Sequence, residues 1–64
     1  MLKNHIMADL VRKPLIDKVA ERAHVSTQSI RLWVQKKDIR LLSYPLMQVM
    51  AEHYQCQIND LLEN

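Results

Sequence analysis

The chain has 64 residues, 48% of them hydrophobic and 25% charged, the balance of a globular chain rather than a disordered one. A chain this short buries only about 60% of the surface its unfolded form exposes, so we expect one domain over residues 1–64 and no deep catalytic pocket. Net charge is +2, and the single cysteine, Cys56, cannot form an internal disulfide, which fits a reducing cytoplasm and argues against a disulfide-stapled secreted domain.

The start, MLKNHIMADLVRK, carries charges at positions 3, 9, 12 and 13 and does not read as a signal peptide. No apolar run approaches the roughly 20 residues of a membrane span. Strand-like alternation is absent, while helical spacing runs throughout. Leu2, Ile6 and Leu10 fall four apart and predict a first helix from about residue 3 to 12. Pro14 suits the first turn of a second helix, where its missing N–H is no loss. That helix runs to about Ala23, with Ile16, Val19, Ala20 and Ala23 facing inward.

Ser26 is a good N-cap, its hydroxyl able to accept an orphaned backbone N–H. The third helix is therefore expected from Thr27 to about Lys36, with Ile30, Trp33 and Val34 as its buried stripe. Residues 36–42 read as a basic loop. Ser43 is placed to cap a fourth helix with Pro45 in its first turn and Met47, Met50, Ala51 and Tyr54 inward, ending near Gln55. Cys56 and Ile58 lead into a last short helix carrying Leu61 and Leu62. The expectation is an all-α domain of five short helices.

The stretch AERAHVSTQSIRLWVQKK joins two helices by a three- or four-residue turn, the helix-turn-helix unit, over about residues 15–36. Such a turn needs a residue that tolerates positive φ, and the chain has no glycine. His24 occupies the place, at a cost on the order of 1 kcal/mol. With Ile30 inward, positions 28, 32 and 35 point most nearly away, flanked by 29, 31 and 36. Gln can bond an adenine edge in two places, Arg can do so to guanine, and an aliphatic group can touch a thymine methyl. Gln28, Arg31, Leu32 and Gln35 are thus candidate base readers, although a Gln/Arg face without this frame is ordinary solvated surface. Ser26 and Thr27, at the helix start, are placed to approach a phosphate or the groove edge. Lys36, Lys37 and Arg40 are candidate phosphate contacts. Residues 1–40 hold all nine Lys and Arg against Asp9, Asp17, Glu21 and Asp38, a net +5, whereas residues 41–64 carry −3. That asymmetry suits a cationic face for a polyanion.

In these residues the chain resembles the Cro/CI-type, lambda-repressor-like helix-turn-helix family of phage and bacterial regulators. The family places a small residue, then a glycine four positions later, then an aliphatic six positions on. Ala20, His24 and Ile30 keep that spacing, with His24 the departure. The tail VMAEHYQCQINDLLEN is similar to the family's closing pattern, which implies a core of Ala51, Tyr54, Cys56, Ile58, Leu61 and Leu62. The likeness covers about residues 15–64, while the basic loop departs from it by lacking the usual Glu and Gly. It implies a five-helix lambda-repressor-like domain that binds operator DNA, with Thr27, Gln28, Ser29, Arg31 and Leu32 reading bases. The expected function is sequence-specific double-stranded DNA binding by a small Cro-like repressor, cytoplasmic and nucleoid-associated through its DNA.

Two copies about a twofold axis would double the few base contacts of one module, over half-sites about 34 Å apart. A weak homodimer, completed on DNA, is expected through an edge of the fourth helix formed by Leu46, Val49 and His53. Two other functions use the same features. One is a protein-interaction module, anti-repressor or antitoxin-like, anchored by Leu32. The other is an excisionase-like architectural binder that bends its site. Neither an enzyme nor a bound cofactor or small-molecule ligand is expected, since no nucleophile–base pair, glycine loop or carboxylate cluster appears. His53 and Cys56 sit three apart, but a zinc site wants four ligands and no second pair exists.

Overall fold

Four of the five expected helices are α-helices in the computed structural model, which describes residues 1–63: α1 (Asn4–Leu10), α2 (Leu15–Ala23), α3 (Thr27–Lys36) and α4 (Tyr44–Tyr54). The fifth is corrected. Ile58–Leu61 forms a 3₁₀ turn, because Leu62 is already extended and only four residues lie between it and the cap, Gln57, too few for an α-helical ladder. A second 3₁₀ turn, Ile39–Leu42, lies within the basic loop, where the Asp38 carboxylate accepts from the Arg40 N–H at 2.9 Å. No strand occurs among the described residues, and no helix among them is long and apolar enough to cross a membrane.

The two ends of the chain are tied together. Leu2 and Leu62 form an isolated antiparallel bridge, with the Lys3 N–H donating to the Leu61 carbonyl at 3.0 Å and the Glu63 N–H to the Met1 carbonyl at 2.9 Å. Both Leu2 and Leu61 are thereby drawn fully into the core. The core is one cluster, and α2 and α4 pack most extensively within it. The radius of gyration is 10.2 Å, close to the roughly 10.7 Å expected for a folded chain of this length.

Burial overturns one expected surface. Leu46 and Val49 are 2% and 5% exposed and belong to the core, so they are not available to a partner. The reason is the central position of α4, which packs on α2 and on both 3₁₀ turns. Contacts from several directions use a wider face than one i, i+3, i+4 stripe. Of that proposed edge only His53 is exposed. Trp33 and Val34 deviate in the other direction. On α3 only Ile30 is fully buried, while Trp33 and Val34 are half-buried against the core.

His24 sits at φ 57°, ψ 43°, as the turn requires, and Lys37 and Gln55 adopt the same left-handed geometry after α3 and α4. In each case the following N–H bonds the carbonyl five residues back: Val25 to Ala20 at 3.1 Å, Asp38 to Trp33 at 2.9 Å, Cys56 to Ala51 at 3.0 Å. These are Schellman caps closed without glycine. Each Cβ in the left-handed region costs about 1–2 kcal/mol, partly offset in a comparison because glycine loses more entropy on folding. Replacing His24, Lys37 or Gln55 by Gly should therefore stabilise the domain by roughly 0.5–1 kcal/mol per site, raising the thermal midpoint by about 2–8 °C. A lower midpoint at all three sites would show that their side chains contribute more than their backbone strain costs.

Tyr54, half-buried, donates its hydroxyl to Asp9 Oδ2 at 2.6 Å and so links α4 to α1. Burial, then the Asp9 hydrogen bond and the negative charge beside it, push the phenol well above its ordinary 10.0. A raised folded pKa gives stability that is complete below the unfolded value and is lost as pH climbs through the folded one. The domain should accordingly lose stability above pH 10, and Tyr54→Phe should remove most of that alkaline sensitivity while costing about 1–2 kcal/mol at neutral pH. Denaturant midpoints of both proteins at pH 7 and 11 test this; equal alkaline losses would assign the sensitivity to other groups.

Candidate nucleic-acid interface

The surface built around α3 begins at its cap. The Ser29 N–H donates to Ser26 Oγ at 3.1 Å, and the Ser26 hydroxyl lies 3.0 Å from Ser29 Oγ. Both serines are thus engaged with each other at the helix start, with Ser26 exposed and Thr27 and Ser29 half-exposed. Ile30 anchors the opposite side of the helix. With that anchor set, Gln28, Leu32 and Gln35 stand on the exposed face, and Leu32 remains 45% exposed. No acidic residue lies anywhere on α3.

The arginines are more constrained than their sequence positions suggest. Arg31 is exposed, but its Nη1 donates to the Val11 carbonyl at 3.2 Å, at the end of α1. That carbonyl is one that the helix leaves unpaired. Arg40 lies over the Trp33 ring with its guanidinium carbon 5.9 Å from the centroid, and its Nε is 3.8 Å from Asp38 Oδ1. Trp33 is therefore a half-buried platform under a cation as well as a packing residue. Lys36 and Lys37 are exposed and, among the described residues, carry no ion pair.

The structure thus brings Ser26, Thr27, Gln28, Ser29, Leu32 and Gln35 onto one element, with Lys36, Lys37 and Arg40 continuing from its end. It keeps Leu46 within the core and leaves Val49 buried at the edge of a groove beside Lys18 and Arg22. The sequence reading missed two exposed apolar groups in the segment that follows α3, Ile39 at 76% and Tyr44 at 65%. Ile39 fits an apolar spacing with Leu41 and Leu42, and only the 3₁₀ geometry turns it outward while burying Leu41. The reading also missed that the Arg31 side chain reaches the Val11 carbonyl, a contact with no local signature. Away from this region, the His53 ring packs edge-on against Tyr54 at 5.1 Å. Among the described residues no three His, Cys, Asp or Glu side chains gather as a metal site would require. No protein-family model, curated protein or solved structure matches this chain.

Proposed function

We propose that the protein is a sequence-specific double-stranded DNA binder, a small repressor of the Cro/CI helix-turn-helix type. The observation that carries the reading is α3 itself: a ten-residue helix following a left-handed turn, held by buried Ile30 with Trp33 and Val34 half-buried beside it, and presenting Gln28, Leu32 and Gln35 to solvent with no carboxylate. Such a helix can enter a major groove, where amide side chains pair with adenine edges and an aliphatic group meets thymine methyls. Exposed Lys36 and Lys37 at its end suit the flanking phosphates. Two copies about a twofold axis would read two half-sites, joined through residues other than Leu46 and Val49.

Selection from random duplexes, followed by affinity measurements across a salt series, tests the proposal. A recovered consensus is the expected result, and no enrichment over the starting pool would sink it. Within that series, Lys36→Gln with Lys37→Gln should lower the salt slope by about 2, at roughly 0.9 per phosphate. Arg40→Gln should add less, because Asp38 already offsets its charge. An unchanged slope would leave this loop in solvent.

A second reading is favoured by one observation: Leu32 on α3 and Ile39 on the 3₁₀ turn packed against it are large apolar side chains exposed to solvent. A protein-interaction module would use them as anchors. Its affinity would depend on apolar contact and hold steady as salt rises, whereas DNA affinity falls steeply.

A further inference from the structure

The cap of the 3₁₀ turn Ile39–Leu42 carries a charge that its structural task does not require. Asp38 is fixed in place: its N–H donates to the Trp33 carbonyl at 2.9 Å, and its carbonyl accepts from the Leu41 N–H at 3.1 Å. Its Oδ1 accepts from the Arg40 N–H at 2.9 Å. An uncharged Asn or Ser side chain caps as well, and serine stands before both α3 and α4. Asp38 is also the only acidic residue between Glu21 and Glu52, a stretch that holds α3 and the basic loop. The same Oδ1 lies 3.8 Å from Arg40 Nε, while the Arg40 guanidinium carbon stands 5.9 Å from the Trp33 ring centroid. Arg40 is therefore held from two sides, whereas Lys36 and Lys37 carry no ion pair among the described residues. The hold is loose. The Arg40 side chain stays 67% exposed, and an exposed pair at that distance contributes little. A phosphate close enough for two parallel N–H bonds makes the stronger partner, so Arg40 can exchange one for the other.

We propose that Asp38 determines specificity by withholding Arg40 from DNA that is out of register. The inference rests on the DNA-binding reading above and gives the regulation of that surface to the one acid beside it. When the amide side chains of α3 meet their bases, the protein is held at one depth. A phosphate is then kept within reach of Arg40 and displaces Asp38. On other sequences nothing fixes α3 in the groove, and the guanidinium stays with the carboxylate and the indole. Non-specific affinity is essentially all electrostatic, so one cation withheld there lowers it and raises the ratio of specific to non-specific binding. That ratio decides occupancy wherever competing sites are abundant.

The test uses the full chain, the duplex recovered by selection and a scrambled duplex, each over a salt series. Asp38→Asn keeps a side-chain oxygen for the Arg40 N–H, so helical content should not change. It should raise the salt slope on scrambled DNA by about 0.9 and the affinity there about 8-fold at 0.1 M salt, the difference vanishing toward 1 M. The preferred duplex should gain less. Arg40→Gln should lower the slope on the preferred duplex alone. In the double variant, Asp38→Asn with Arg40→Gln, the gain on scrambled DNA should disappear. A gain that survives there is direct repulsion between Asp38 and phosphate, and it overturns the exchange. Equal changes on both duplexes in Asp38→Asn, or none on either, overturn it too while DNA binding stands. A wild-type protein that binds no duplex at low salt removes the functional reading and the role of Asp38 together.

Discussion

Leu46→Glu should unfold the domain at neutral pH. Leu46 lies fully within the core on the first turns of α4, so the new carboxylate would stand in an apolar environment with no hydrogen-bond partner built for it. Burying such a charge costs several kcal/mol. A domain of this size has about 3–10 kcal/mol of total stability at roughly 0.05–0.15 kcal/mol per residue, so the substitution consumes most or all of it. Leu46→Met, which keeps volume and polarity, should cost less than about 1.5 kcal/mol. The charged variant should also regain helix as the pH falls below about 4.3, the unfolded value for Glu. Burial raises the folded pKa of the introduced group, and the penalty is lost once it is protonated. Circular dichroism at pH 7 and pH 3 checks both statements. A folded Leu46→Glu protein at pH 7 with altered self-association would return Leu46 to the surface and revive the interface that its burial excludes. Val49 makes a poorer test, because it borders a shallow groove shared with Lys18 and Arg22, either of which could meet a longer acidic side chain.

What was legible in the sequence had a local cause. The limits of α3 follow from the Ser26 cap at one end and the last apolar position at the other, and both agree with the structure. The left-handed His24 was readable because a short link between two apolar patterns demands positive φ somewhere. Lys37 and Gln55 adopt the same geometry, yet each precedes a segment without a strong period, so nothing forced the turn onto a particular residue. The errors concern distance in the chain. Whether the second edge of α4 is buried depends on how many elements surround it, and periodicity along one helix does not carry that. The pairing of Leu2 with Leu62, the Tyr54–Asp9 bond and the Arg31–Val11 bond all join residues remote in sequence. The outward face of α3 was legible because one buried residue, Ile30, sets the rotation of a whole helix.

That face supplies the second large effect. Gln28→Ala with Gln35→Ala should abolish most of the distinction between the preferred duplex and a scrambled one. Residues seven apart return to nearly the same side of a helix, so Gln28 and Gln35 lie on one exposed line with Leu32 between them. They stand about 10.5 Å apart along the axis at 1.5 Å per residue, enough to address different base pairs. A bidentate amide–adenine pair is worth about 1–3 kcal/mol of discrimination, so the double variant should lose roughly 2–6 kcal/mol between the two duplexes. Neither side chain carries charge, so the salt slope and the affinity for scrambled DNA should barely move. The variant should also keep its fold, because both positions are exposed and Ala is the better helix former. Binding of the double variant and wild type to both duplexes at three salt concentrations separates these quantities. Equal losses on the two duplexes, or an unaltered ratio between them, would show that this face does not read bases. Leu32→Ala in the same series distinguishes the competing module: a modest loss confined to the preferred duplex belongs to a thymine contact. Salt-independent loss of a protein partner would instead make Leu32 an apolar anchor.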